Sequence, residues 1–395
     1  MKKTLLLFLF LCTTVVLQAQ EYFPTNSGVK TTQNTTVAFT NAKIYVTPTQ
    51  IIKKGTLLVK DGKVISVGKN VRIPKGTKTV DLSGKTIYPS FIELYSNFGV
   101  KVASPSGNFN FRSGTQYDAN RKGYYWNDHI RPETDAFNAF KYDARSATSL
   151  LKAGFGVVNT HSEDGIIRGN GLLVALNSSS TDAYRILDVR SAQYLSFSKS
   201  RKSRQSYPNS LMGSMALLRQ TYLDADWYAT GNAKNKDRSL EALNRNKDLV
   251  QIFNVGGNNL NSLRADKVGD EFGIQYTILG NGTEFEKIQE IKNTNATFIV
   301  PVNFRSAYDV SNPYLANQLG LNDMRRWNQE PSNLATLAKN NVNFTITTHS
   351  LKSLGSFQKN IRKAIKYGLS ETKALEALTT IPAKILGKSS EIGTL

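Results

Sequence analysis

At 395 residues, with 40% apolar side chains, the chain is long enough for one large core and a minor one. A net charge of +20 without aromatic interleaving or a helix-turn-helix, finger or stacking motif argues against nucleic acid; it suits a solvated basic surface or, as an alternative, attraction to anionic envelope glycans or lipid. The single cysteine, Cys12, falls in the N-terminal apolar segment, so disulfides, thiolate metal sites and cysteine nucleophiles are excluded from the rest of the chain.

Residues 1–19 begin with Met1-Lys2-Lys3 and continue into an apolar run too short to span a bilayer. This is the pattern of a cleaved signal peptide, and the expected location is periplasmic or extracellular. Residues 20–36 are polar and read as a flexible arm. From residue 37 to 88 short alternating runs are punctuated by turns, and Asp61-Gly62 between two apolar runs predicts a hairpin, because its turn needs positive φ. This stretch is expected to form part of a small β-sandwich.

The run from Gly84 to Gly99 is rich in β-branched and aromatic residues and predicts a buried strand ending in a loop. Residues 95–143 are polar and aromatic, with Tyr124, Tyr125 and Trp126, and predict a long loop over the strand ends. A helix is predicted at 144–153, capped by Gly154, and a strand at 155–160. Strands then alternate with helices: helix 210–227, strand 249–254, helix 260–272, strand 275–279, helix 284–292, strand 297–302, helix 333–339 and strand 343–348. Helices follow after Ser356 and Ser370. Alternation with short joins implies right-handed crossovers and a parallel sheet, and 89–387 has room for an α/β (β/α)8 TIM-like barrel; a doubly wound open sheet is the runner-up.

Much of residues 37–395 carries a resemblance to a known family, two stretches of it in detail. Pro89-Ser90-Phe91-Ile92-Glu93-Leu94-Tyr95-Ser96-Asn97 resembles the first barrel strand of the amidohydrolase superfamily, imidazolonepropionase-like branch, whose pattern is Pro-Gly-Phe-Ile-Asp-x-His-x-His. Near the C-terminus, residues 360–370 and 374–387, the latter with Thr379-Thr380-Ile381-Pro382-Ala383, are similar to the family's closing helices. The resemblance implies a barrel over 89–387, a return to the β-sandwich starting at 388–395, and hydrolysis of carbon–nitrogen bonds in cyclic amides or peptides by a bound divalent metal. It also implies the ligand positions, which this chain fills with Tyr95, Asn97, Phe253, Leu279 and His349, of which His349 alone is a strong metal donor. The metal site is therefore expected to be degenerate, the chain catalytically impaired, and no cofactor bound.

Three alternatives remain open at this point. A relocated zinc or other divalent site would draw on His161, Glu163, Asp164, His349 and Glu93, and would leave an active hydrolase. Arg168-Gly169-Asn170-Gly171 after a strand would form a backbone nest for an anion. The aromatic loop and basic surface would make a binding module for anionic envelope material. In the family, further strands complete the sandwich after the point matching Leu395, so the β unit is expected to present an incomplete edge for a second copy or a catalytic partner domain. His129, before a proline-containing turn, is expected to be structural.

Overall fold

A computed structural model describes residues 36–104, 116–177 and 185–395. The expected signal peptide and all but the last residue of the expected arm lie outside these residues, as does part of the loop expected at 95–143.

The N-terminal strands are β1 (Thr36–Tyr45), β2 (Ile51–Lys60), β3 (Lys63–Gly68), β4 (Lys78–Asp81) and β5 (Thr86–Ile87). They form one sheet in the order β3-β2-β1-β4, with β5 also on β1. The β2–β3 hairpin turns through Asp61 (φ 50°) and Gly62 (φ 76°), the left-handed pair that the sequence demanded. Ala42, Ile44 and Leu57 form this sheet's buried centre, and Leu395 packs beside them, its N–H donating to the Val46 carbonyl at 3.0 Å.

After β6 (Phe91–Ser96) the described loop residues carry only a one-turn helix, α1 (Ala136–Ala139), before α2 (Ala144–Ala153). Helix α2 starts where Asp143 accepts from the Arg145 and Ser146 N–H groups and stops at Gly154 (φ 106°). Strand β7 (Phe155–Thr160) then lies parallel to β6.

Next the chain departs from strict alternation. Strands β8 (Ile167–Asn170), β9 (Leu172–Ala175), β10 (Ile186–Asp188) and β11 (Ala192–Ser196) follow one another without a described helix between them. β9 is antiparallel to β7 and β8 is antiparallel to β11, with only Gly171 between them. One bent strand thus stands between two parallel neighbours. The expected uniformly parallel sheet is corrected here. Antiparallel ladders on both of its sides give this short stretch its hydrogen bonds.

From β11 onward alternation returns: α3 (Leu211–Ala229), α4 (Arg238–Arg245), β12 (Val250–Asn254), α5 (Asn259–Glu271), β13 (Thr277–Leu279), α6 (Ile288–Asn293), β14 (Thr297–Pro301), α7 (Pro313–Asn317), α8 (Leu321–Gln329), α9 (Asn333–Lys339) and β15 (Phe344–Thr347). Helices α10 (Phe357–Lys366), α11 (Glu371–Leu378) and α12 (Thr380–Ile385) close the chain. β11 to β15 are parallel neighbours in chain order. Side chains alternate between two cores: Ile252, Leu279 and Ile299 join Tyr95 and Tyr194, whereas Phe253, Ile278 and Phe298 join helical residues such as Leu217, Ala265 and Ile291. No backbone ladder joins β15 to β6 among the described residues. Instead the buried Glu93 carboxylate accepts from Thr347 Oγ1 (2.6 Å), Thr348 N (2.7 Å) and Thr348 Oγ1 (2.8 Å). Among the described residues no helix is long and apolar enough to cross a membrane.

Candidate functional site

Strand β6 delivers Tyr95 to the centre of a buried cluster. Its hydroxyl oxygen accepts from Arg168 Nη1 at 2.7 Å and from Asn254 Nδ2 at 2.8 Å. The Asn254 amide is fixed by its other end, where Oδ1 accepts from the Gly256 N–H at 3.1 Å. The Tyr95 ring meets the rings of His161 and His349 edge-on, with centroids at 4.6 and 4.8 Å. His161 lies flat on Tyr194, at 3.6 Å and 2°, and the Tyr194 hydroxyl donates to the Leu94 carbonyl at 2.7 Å. Residues from β6, β7's exit, β8, β11, β12 and β15's exit thereby meet in one place.

Burial sets the protonation states here. It pushes the Tyr95 phenol up, and the Arg168 guanidinium only partly offsets that, so the phenol keeps its proton near neutral pH. His161 is held well below the usual imidazole range by burial and then by Arg168, against a weaker opposite pull from the Ser96 carbonyl, and is neutral. His349 is lowered for the same first reason, with the Glu163 carboxylate pulling it back and Arg168 reinforcing it. Neither ring nitrogen of His161 completes a hydrogen bond.

The expected residues divide sharply. Tyr95, His161, Arg168 and His349 come together, and Glu163 acts on Tyr95 and His349 through its charge. Asn97 is exposed and faces a different cleft, of about 850 Å³, which Lys101, Lys141 and Arg145 also line. Phe253 does not reach the cluster: its ring packs on Phe197 (4.7 Å) and Tyr276 (5.0 Å), and strand alternation hands the inward place to Asn254. Leu279 lines a recess of about 270 Å³ beside Asn254, Asn281 and His349.

The relocated set does not converge. Glu93 is committed to β15, and Asp164 accepts from Ser200 Oγ (2.7 Å) and the Arg201 N–H (2.6 Å). Among the described residues no three His, Cys, Asp or Glu side chains stand close enough to hold a metal ion. The backbone nest is likewise absent. The N–H groups of Asn170 and Gly171 are taken by the carbonyls of Thr134 and Ala192, both at 2.8 Å. Gly169 and Gly171 serve close packing instead: a Cβ would stand 2.0 Å from the Thr134 oxygen and 2.6 Å from the Tyr194 ring. His129 is structural: Nδ1 accepts from the Ser200 N–H at 3.0 Å, which leaves Nε2 to donate to the Gln205 carbonyl at 3.1 Å. Of the aromatic loop, Trp126 stacks on Tyr207 at 6.2 Å and Tyr124 lies under Arg121 and Arg238.

The donor set around Tyr95 does not suit a divalent metal. The phenol oxygen receives two N–H donors, Asn254 turns its amide nitrogen inward, and Arg168 supplies a permanent positive charge where a cation would sit.

No family model matches the chain. An imidazolonepropionase of Staphylococcus aureus (strain JH9) is 25% identical over 125 residues, which is 31% of this chain and 30% of that protein. The matched stretch thus spans less than a third of that relative's length. The crystal structure of an amidohydrolase from Thermotoga maritima MSB8 superposes with a TM-score of 0.67 at 20% identity, covering 91% of this chain and 90% of that one. At that identity the likeness is one of fold.

Proposed function

We infer that this chain, whose fold is that of the amidohydrolase superfamily, keeps the frame of a carbon–nitrogen hydrolase but uses its strand-end site to bind rather than to cleave. In this reading β6, β7, the bent β8–β9 strand and β11 to β15 make the ring of a TIM-like barrel, closed between β15 and β6 by Glu93. The small sheet of β1 to β5 is its sandwich unit. The protein is exported on the strength of residues 1–19, and its basic surface faces the anionic envelope.

One observation carries the reading: the Arg168–Tyr95–Asn254 hydrogen-bonded set, at 2.7 and 2.8 Å, is built on Tyr95, a position where the family's resemblance calls for a metal ligand. A guanidinium cannot ligate and repels a second cation. With no thiol beyond Cys12, Glu93 fully engaged by hydrogen bonds and His161 sealed from solvent, activating water would fall to His349 and Glu163 without a metal to acidify it. Metal analysis of protein purified without chelators, run beside an amide-hydrolysis assay, tests it. Substoichiometric zinc, iron and manganese with no turnover is the expected result. One equivalent of metal per chain, lost together with activity in His161→Ala, overturns it.

A further inference from the structure

We propose that the cluster is a binding site for a small monocarboxylate, with Arg168 as its fixed cation. This deepens the metal-free reading above and rests on it. A guanidinium is charged at every accessible pH, and burying one without a counter-ion is unfavourable. Arg168 is only 6% exposed, yet its bonds go to neutral groups, the Gly165 carbonyl (3.1 Å) and the Tyr95 hydroxyl. It makes no ion pair among the described residues. Elsewhere the largely buried Arg121 is paired, with Asp128 and Glu133.

A second observation is independent of the first. His161 is fully buried against Tyr95 and Tyr194, and both its ring nitrogens lack partners. A neutral imidazole there has one N–H to give, and the Ser96 carbonyl that acts on the ring does not complete a hydrogen bond with it. A recess of about 270 Å³, room for a small organic acid, meets the cluster at Asn254 and His349; Arg168 and His161 are not in its wall, so the ligand's carboxylate must pass Asn254 and His349 to reach the guanidinium. A carboxylate offers the planar pair of oxygens that a guanidinium edge fits. Glu163, whose charge acts on the same rings, makes a second negative charge on the ligand unfavourable, so monoanions are preferred over phosphate dianion.

The probe is acetate against acetamide at constant ionic strength, read on the full chain by melting midpoint and calorimetric titration, with metal content measured on the same sample. Acetate is expected to give a saturable rise of roughly 1–2 °C once it exceeds its Kd tenfold, and acetamide none. Arg168→Gln is expected to lose that response. Asn254→Asp supplies an internal carboxylate beside Tyr95; it is expected to melt above the parent in acetate-free buffer and to ignore acetate, which keeps the test decisive if Arg168→Gln does not fold. Equal responses to acetate and acetamide, or an undiminished acetate response in the variants, overturn the inference. A metal-free sample blind to acetate defeats this inference alone; one equivalent of zinc defeats the reading beneath it as well.

Discussion

Removing the Glu93 carboxylate should unfasten the junction between β6 and β15. Its two oxygens accept four hydrogen bonds: Oε1 from Thr347 Oγ1 (2.6 Å) and Tyr95 N (3.1 Å), and Oε2 from Thr348 N (2.7 Å) and Thr348 Oγ1 (2.8 Å). Burial pushes the Glu93 carboxyl up, and all four donors pull it back toward the charged form. In Glu93→Ala the two backbone N–H groups lose their acceptors at ~1–3 kcal/mol each, and the emptied volume adds ~1–2 kcal/mol, giving about 3–8 kcal/mol. That is close to the whole stability of many domains, ~5–15 kcal/mol, so little soluble Ala variant is expected. Glu93→Gln keeps one accepting oxygen but turns an NH2 toward two donors, one of them a backbone N–H that cannot rotate away. It should cost about 2–3 kcal/mol. Urea unfolding reads this as a lower midpoint at unchanged slope. An Ala variant that is soluble and within ~1 kcal/mol of the parent would refute the idea that Glu93 holds the two strands together.

Two further predictions are independent of ligand. The buried, lowered His161 is neutral in the folded chain, and the unfolded chain takes up its proton first as pH falls through about 6.5. Relative to His161→Phe, the parent should therefore lose stability below that pH, by up to ~1.4 kcal/mol per unit until the folded histidine titrates. Glu93 and Asp266, the latter pushed up to about 6 by burial and by Asp270, slope the other way but cancel in the difference. A flat difference curve between pH 6.5 and 5 would rule this out. At the edge of the N-terminal sheet, β3 leaves Val64 43% and Ile65 57% exposed, so concentration-dependent association through this edge is expected by light scattering, and Ile65→Lys should remove it. A parent that stays monomeric at high concentration contradicts this.

The frame was legible because local rules and tertiary packing agree in it. Asp61-Gly62 announced its hairpin, Asp143 and Gly154 bracket α2, and strands 155–160, 249–254 and 297–302 were read to within two residues. The bent strand at 167–175 was not legible. Its Arg168, Asn170 and two glycines look like a loop, and only pairing on both sides makes a strand of them. The same glycines suggested an anion nest because sequence cannot tell a nest from close packing: Gly169 takes positive φ (84°) yet packs on the Thr134 carbonyl, and Gly171 makes room for the Tyr194 ring. Arg168 was noticed as part of that turn, whereas its side chain is what meets Tyr95. Asn254 was missed in favour of Phe253 by one residue, and on a strand one residue is the difference between two faces.

That one-residue distinction also decides what restoring the family's ligands can do. Tyr95→His alone replaces a phenol that two N–H groups now donate to, and the new imidazole would take those donors on its lone pair or turn away from them. Asn97 is exposed toward the other cleft, so Asn97→His adds a donor in the wrong place. His349→Asp would bring a carboxylate toward Arg168, and a guanidinium–carboxylate pair would form before a metal site did. The triple variant is therefore expected to bind no more zinc than the parent, whereas adding Arg168→Ala should raise zinc retention on dialysis, because the positive charge and one of the competing donors leave together. If the triple variant with Arg168 intact already holds one equivalent of zinc, the guanidinium is not what excludes the metal, and the site is better suited to a cation than its hydrogen bonds imply.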